Sequence, residues 1–356
     1  MGLFRGRNNL VGIDIGSSAI KLVRLRPVGD AWELVAFSLG HLPPDAIVEG
    51  RIMNFAVVIE RLRDVMRESG LKQSQCAIAI SGSSLIIKRL ALPEMTKAEL
   101  DESIMWEAEQ YIPFDINDVN VDSQILNPRA GQGQMDVLMV AAKKDVVNEY
   151  MSVAAEAGLK PVVVDVSIFA ALNMFEANYS LPPDQTVALL NVGANSINVG
   201  VISGGNVAFT RDLSVGGAKL TAEIQRHFNV SYEEAEAFKT GAESSLSSST
   251  IAREVNRIAD RVCESMVLEV QRSLDFYLAT SVQSDIQRIY LTGGTAQLPA
   301  LIRALERRME IQVELVNPFR NISVDPRRFD IDLLQRAASV AGVAVGLALR
   351  RAGDAI

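Results

Sequence analysis

Two hydrophobic periods alternate along this chain. Short β-branched runs at residues 10–15 and 20–25, interrupted by Gly16-Ser17-Ser18, predict a hairpin, with a third strand at 32–37. Asn54 is placed to cap a helix over 55–69, which stops at Gly70, a favoured residue for a helix C-terminus. A buried-type strand is expected at 77–80. Between 84 and 161 the pattern changes. Residues 85–92 read as a strand that Pro93 breaks, and Thr96 with Glu99 makes a capping box for a helix ending before Pro113. Two more strands, 119–126 and 134–142, are joined through Gly131 and Gly133, and a helix over 144–157 closes the module at Gly158. This is an α+β insert.

After it, a strand at 162–165, a helix at 167–177 and the Pro182-Pro183 break lead back to the opening theme. Strand 187–190 runs into Asn191-Val192-Gly193-Ala194-Asn195-Ser196 and a second strand at 197–202. GIDIGSSAIKLV and LNVGANSINVGV share one order of strand, polar-glycine turn and strand. That weak repeat predicts two related halves facing a common cleft. Ser231 with Glu234 is another capping box, and the serine-rich stretch 243–250 reads as a surface loop. Ile258, Val262, Met266, Val270, Leu274 and Leu278 form a core-facing helical stripe. Strand 288–291 enters Thr292-Gly293-Gly294-Thr295, and a helix follows.

The totals narrow the functions. A length of 356 residues, 48% hydrophobic, suits two core units or one two-lobed α/β domain. The net charge of −8 and the lack of a Lys/Arg-rich run argue against nucleic acid as partner. Cys76 and Cys263 lie far apart in apolar-patterned segments, which fits a reducing compartment and no disulfide framework. With His41 and His227 the only histidines, metal centres of Cys/His type and histidine triads lack raw material. The start, MGLFRGRNNL, has no apolar signal core, and Gly6 stands where a myristoylation signal wants Ser or Thr. The late apolar stretch 337–349 is shorter than the roughly 20 residues a spanning helix needs, so no direct membrane insertion is expected.

Four segments carry candidate chemistry. In the first turn, the small residues Gly16, Ser17 and Ser18 let backbone N–H groups approach phosphate oxygens, and Asp14 can hold magnesium through water. Lys21 shares its strand face with Val23 and Leu25, so it needs an anion nearby or an open strand end. A plain hairpin with a snorkelling lysine explains that segment equally well. The second turn, with Asn191, Gly193, Ala194 and Asn195, is by itself an ordinary Asn/Gly hairpin. Gly293 and Gly294 could back a flat base, or form a tight strand-to-helix turn. Glu236 and Lys239 share a helix face, where a solvated salt bridge is the simplest account.

The order of the four resembles the actin, sugar-kinase and heat-shock chaperone superfamily. Gly12 to Lys21 is similar to its phosphate-1 segment, 191–199 to phosphate-2 and 291–298 to the adenosine motif, while 166–174 and 339–349 resemble the connector helices. The resemblance implies an α/β, actin-like (ribonuclease H-like) duplicated two-lobed fold. The insert resembles the relocated subdomain of the cell-division protein FtsA, as do Gly216-Gly217, Leu220-Thr221 and AEAFK. The similarity runs further to the PilM family of type IV pilus assembly, through Met105-Trp106-Glu107, Glu109 to Phe114, Val164-Asp165 and RSLDFY at 272–277. FtsA carries a C-terminal membrane-targeting helix after a linker. This sequence stops at Ile356 with neither, which points to the PilM branch.

That resemblance implies a first lobe at 1–83, the insert at 84–161, a connector and return at 162–185, a second lobe at 186–331 and a C-terminal connector at 332–356. It implies ATP or ADP with Mg2+, phosphates at Asp14, Gly16, Ser17, Ser18, Lys21, Asn191, Gly193, Ala194 and Asn195, and the nucleoside at Glu236, Lys239, Gly293 and Gly294. Phosphate-2 carries Asn191 where the superfamily usually has aspartate, and Asp165, the nearest candidate base, falls beside the matching position. Slow or absent hydrolysis is therefore expected. The implied partners are the cytoplasmic N-terminal peptide of PilN, PilO indirectly and the pilus motor ATPases, with self-association into a ring a further arrangement. The implied location is cytoplasmic, peripheral to the inner membrane. Leu85, Ile87, Tyr111, Ile112 and Phe114 are the candidate groove for the PilN peptide, which would bind by apolar anchors and main-chain pairing. The rival readings are a small-molecule kinase, which needs a cleft aspartate as base, and a nucleotide-free secretion scaffold.

Overall fold

The computed structural model describes residues 10–72, 74–182, 184–241, 249–281 and 285–354. The N-terminal signals, Pro183 and most of the serine-rich stretch lie outside the described residues. The chain forms two compact units, 1–174 with 343–356, and 175–342.

The first unit opens with β1 (Val11–Ile15), β2 (Ala19–Val28) and β3 (Ala31–His41), an antiparallel meander. Gly16 N donates to Ala19 O at 3.1 Å and closes the first turn, which fixes Ile15 opposite Ile20 and Asp14 opposite Lys21. A two-residue pair, β4 (Ile47–Val48) and β5 (Arg51–Ile52), leads to α1 (Phe55–Glu68), whose first turn is capped by the Asn54 side chain accepting from Val57 N. β6 (Gln75–Ile80) then pairs in parallel with β1.

The insert is a sheet of β7 (Leu85–Pro93), β9 (Gln134–Lys143) and β8 (Val119–Gly131), in that spatial order, with α2 (Lys97–Glu109) on one face. Leu90, Leu92, Leu100, Ile104, Ala108, Met135 and Val137 give it a core of its own. Pro93 ends β7 opposite Gln134, where the sequence placed the break. Position on the sheet edge makes its missing N–H harmless.

α3 (Lys144–Glu156) corrects the expected boundary at 161. Its Val146, Val147, Tyr150 and Val153 pack with Val11, Ile13, Ile78 and Leu62, so this helix belongs to the first lobe's core and not to the insert's. β10 (Lys160–Val166) pairs with β6, and the unit's own strands run β10-β6-β1-β2-β3. The chain crosses to the second unit within α4 (Ser167–Asn178).

There β11 (Thr186–Val192), β12 (Ile197–Ser203), β13 (Asn206–Leu213), β14 (Arg288–Thr292) and β15 (Val313–Leu315) form a sheet ordered β13-β12-β11-β14-β15. α5 (Ala218–Phe228), α6 (Tyr232–Thr240), α7 (Ser249–Thr280) and α8 (Pro299–Met309) accompany it. The α7 stripe is buried from Ile258 to Leu274 and packs on Leu190, Val199 and Leu291, with Leu278 partly buried beside it. α9 (Ile331–Ala337) stays in this unit, because Gln297 Nε2 donates to Arg336 O at 2.8 Å and Gly293 N to Ser339 O at 2.7 Å. The return to the first unit therefore comes at 343 and not at 332. At the other end Phe175 and Tyr179 stack on each other and against Tyr290, so this unit begins at 175 and not at 186.

α10 (Gly342–Leu349) closes the first unit. A Cβ on Gly346 would lie 1.7 Å from Ala170 O, and one on Gly12 2.1 Å from Ala344 O. Gly12 thus serves helix packing, not a phosphate. The helical run Ile331–Leu349 is long and apolar enough to cross a bilayer, so length does not exclude it as expected. Burial does: Val343, Ala344, Val345, Leu347 and Ala348 are core residues.

Candidate functional site

In the first unit the hairpin register sets Asp14 beside Lys21, and Lys21 Nζ lies 3.0 Å from Asp14 Oδ2 with both side chains 13% exposed. The anion that Lys21 required is Asp14 itself. Gly16 sits over this pair, where a Cβ would come within 2.8 Å of Nζ. Ser17 and Ser18 are half-buried at the tip of the turn. An incoming phosphate would compete with Asp14 for the ammonium.

In the second unit three glycine-bearing turns meet. Gly193 N donates to Ser196 O (2.9 Å), and Gly193 O accepts from Gly217 N (3.1 Å) and Thr295 Oγ1 (2.8 Å). Gly216 and Gly217 have no room for a Cβ against Ala194 O and Thr295. Gly293 is buried at φ +99°, and a Cβ there would strike Val192 O. It is a turn residue. Gly294 beside it is exposed, and a Cβ there would meet Val340 Cγ1 at an ordinary 3.5 Å, so it is the glycine a flat ring could approach.

Asn191 Nδ2 donates to Asn198 Oδ1 at 2.9 Å, and Asn198 Nδ2 donates to Asp212 Oδ1 at 2.7 Å, a row across β11, β12 and β13. Ala194 is half-buried and Asn195 exposed at the turn. Glu236 and Lys239 do not form the solvated bridge expected of an isolated i,i+3 pair. The Lys239 side chain is 10% exposed, and its Nζ donates to Glu236 Oε1 (2.6 Å) and Thr221 Oγ1 (3.0 Å), while Thr221 also donates to Glu236. Lys239 reaches Gly217 O at 3.5 Å, which ties α6 to the glycine turns.

A family model described as type IV pilus assembly protein PilM matches residues 12–352. The chain belongs to the PilM family. A solved PilM–PilN type IV pilus biogenesis complex contains a chain 32% identical, with TM-score 0.85, covering 97% of this chain and 98% of that one. FtsA of Bacillus subtilis (strain 168) is 20% identical over 354 residues, 86% of this chain and 78% of that protein. The ethanolamine utilization protein EutJ from Carboxydothermus hydrogenoformans, 18% identical with TM-score 0.58, covers 96% of this chain and 89% of its own. PilM, FtsA and EutJ similarity together bear out the actin-like α/β fold.

The other anticipated residues of this PilM-family chain need two corrections. Asp165 is not a base in a cleft. Its side chain is 0% exposed, Oδ1 accepts from Val166 N at 2.7 Å, and Arg350 Nη1 stands 3.3 Å from Oδ2. Burial pushes its pKa up, opposed by the Arg350 charge. It is a buried structural counterion of the C-terminal segment. Ile112 is the second correction, since it lies in the insert's core at 7% exposure and lines no groove. Leu85 and Ile87 are half-exposed on one face of the edge strand β7, Tyr111 is 44% exposed, and Phe114 lies under the Lys143 ammonium, 4.2 Å from its ring centre.

Sequence reasoning included Thr295, Thr221 and Asn198 in motifs without giving them a role, and did not single out Asp212 or Arg350. Thr295 closes the TGGT turn and Asn198 faces Asn191, signals readable only once strand register is known. Among the described residues no group of three or more acidic, His or Cys side chains forms a metal centre. Asp14 alone suits magnesium that arrives with a phosphate and keeps most of its water.

Proposed function

We propose that this protein is an ATP-binding scaffold of type IV pilus assembly, with slow or no hydrolysis. The observation that carries the nucleotide reading is the Lys21–Asp14 pair on a glycine-serine turn, a part-buried ammonium held ready beside backbone donors. The first unit supplies Asp14, Gly16, Ser17, Ser18 and Lys21 to phosphates and to a hydrated Mg2+. The second supplies Asn191, Gly193, Ala194 and Asn195 to phosphates, and Gly294, Glu236 and Lys239 to the nucleoside, with Gly293 shaping the turn. Mg2+, when bound, would neutralise phosphate charge. Hydrolysis is weak in this reading because Asn191 brings no charge and Asp165 is engaged by Arg350.

Membership of the PilM family and likeness to a chain solved with PilN support the partner reading. The N-terminal cytoplasmic peptide of PilN docks along β7, pairing with its open edge and seating apolar side chains near Leu85, Ile87, Tyr111 and Phe114. Through it the protein, on the cytoplasmic side of the inner membrane, joins PilO indirectly and contacts the pilus motor ATPases, self-associating into a ring. The test is calorimetric titration of the PilN N-terminal peptide into the full chain and its Ile87→Lys variant. Saturable binding lost in the variant supports the groove. Equal binding by both, or none by either, removes it.

A further inference from the structure

α2 buries Leu100, Ile104 and Ala108 and turns Met105 and Trp106 outward, 40% and 67% exposed. Large apolar side chains left on a surface mark interaction sites when they cluster, and tryptophan is enriched among the anchors of such sites. The charge around them is equally unusual. Residues 94–118 hold eight acidic side chains and one lysine, a balance of −7 in a chain whose total is −8. That lysine is taken, since Lys97 Nζ pairs with Asp101 at 2.5 Å and donates to Ser123 O. Glu99 is spent on the capping box with Thr96. Glu102, Glu107 and Glu109 have no ion-pair partner among the described residues. Glu102 and Glu109 stand one helical turn on either side of Trp106.

We propose that this face of α2 docks a lysine- or arginine-rich segment of another protein that also presents an apolar face, with Trp106 as anchor. Charge complementarity selects the occupant. Basic side chains would answer the unpaired glutamates and stack on the indole, while the apolar face covers Met105 and Trp106. Anionic membranes and nucleic acids are repelled. A second copy of this chain fits poorly, because it is itself acidic and its arginines on α7 and α8 are engaged, Arg303 with Asp260, Arg307 with Glu264 and Arg308 with Gln271. The surface is additional to the β7 edge proposed for PilN.

The test uses a fluorescein-labelled leucine–lysine amphipathic helical peptide, read by anisotropy against the full chain. Controls are a sequence-scrambled peptide and a leucine–glutamate counterpart. Saturable binding is expected for the first peptide alone, weakened about tenfold or more by Trp106→Ala and by Glu102→Gln/Glu109→Gln, and by raising salt from about 0.05 to 0.5 M. Both variants change exposed positions and should keep the parent's thermal transition, which is measured alongside. Unlabelled PilN N-terminal peptide should not displace the probe. Binding unchanged by Trp106→Ala, equal binding of the scrambled peptide, or displacement by the PilN peptide would each overturn the proposal.

Discussion

Replacing Arg350 by methionine keeps most of the side-chain volume and deletes the cation facing Asp165. The carboxylate has 0% exposure and only one hydrogen bond from protein, Val166 N to Oδ1, whereas Oδ2 has none among the described residues. Breaking one side of such a buried pair costs about 3–5 kcal/mol, because the remaining charge stays unsolvated. For a unit of this size that is a fall in Tm of roughly 10 °C. The pH dependence has a definite sign. Asp165 is raised in the folded state by burial, so between the ordinary carboxylate range and its folded pKa the native protein holds a proton the unfolded chain releases. Losing the Arg350 charge raises that folded value further, so the penalty of Arg350→Met is largest at the high-pH end, shrinks as pH falls through the variant's folded pKa and is gone below the parent's. Adding Asp165→Asn to Arg350→Met should restore much of the lost stability at pH 7. Circular dichroism melts at neutral and mildly acidic pH measure this, and phosphate release from ATP tests catalysis in Asp165→Asn. A Tm equal to the parent's in Arg350→Met, a deficit independent of pH, or a collapse of ATP turnover in Asp165→Asn with ATP still bound would refute the structural reading of this pair.

Three further outcomes follow from the same geometry. Gly346→Ala drives a methyl into the Ala170 carbonyl, and should cost about 1–3 kcal/mol or more in urea unfolding. Asn191→Asp gives the phosphate-2 turn its missing charge and should raise Mg2+-dependent phosphate release, by up to about a hundredfold, at some loss of stability from the broken row to Asn198. Cys76 and Cys263 are free, and burial pushes both thiols up to about 12, so a thiol reagent at pH 8 should label neither until denaturant is added.

Much of this architecture is legible because it is local. The Gly16 and Gly193 turns, both capping boxes and the α7 stripe are written within a few residues of themselves. Affiliation is not. The apolar face of α3 has the same pattern whether it meets the insert's sheet or the first lobe's, and only the three-dimensional packing with Val11 and Ile78 decides it. Asp14 and Lys21 read as two separate ligands in the sequence, since strand alternation gives faces and not cross-strand partners. The 14-to-21 match appears once Gly16 N bonds Ala19 O. Glu236 and Lys239 are readable as a helical pair. Thr221, which hydrogen-bonds to both, comes from another helix and leaves no mark at that spacing.

Nucleotide held by the Lys21 hairpin is the central claim, and equilibrium dialysis with labelled ATP and Mg2+ tests it most directly. The full chain should retain one ATP, recovered largely unhydrolysed, and Lys21→Met should lose it about a hundredfold in affinity, the scale of a charge-assisted contact to phosphate. Equal retention by the parent and Lys21→Met, or no retention by the parent, would contradict it.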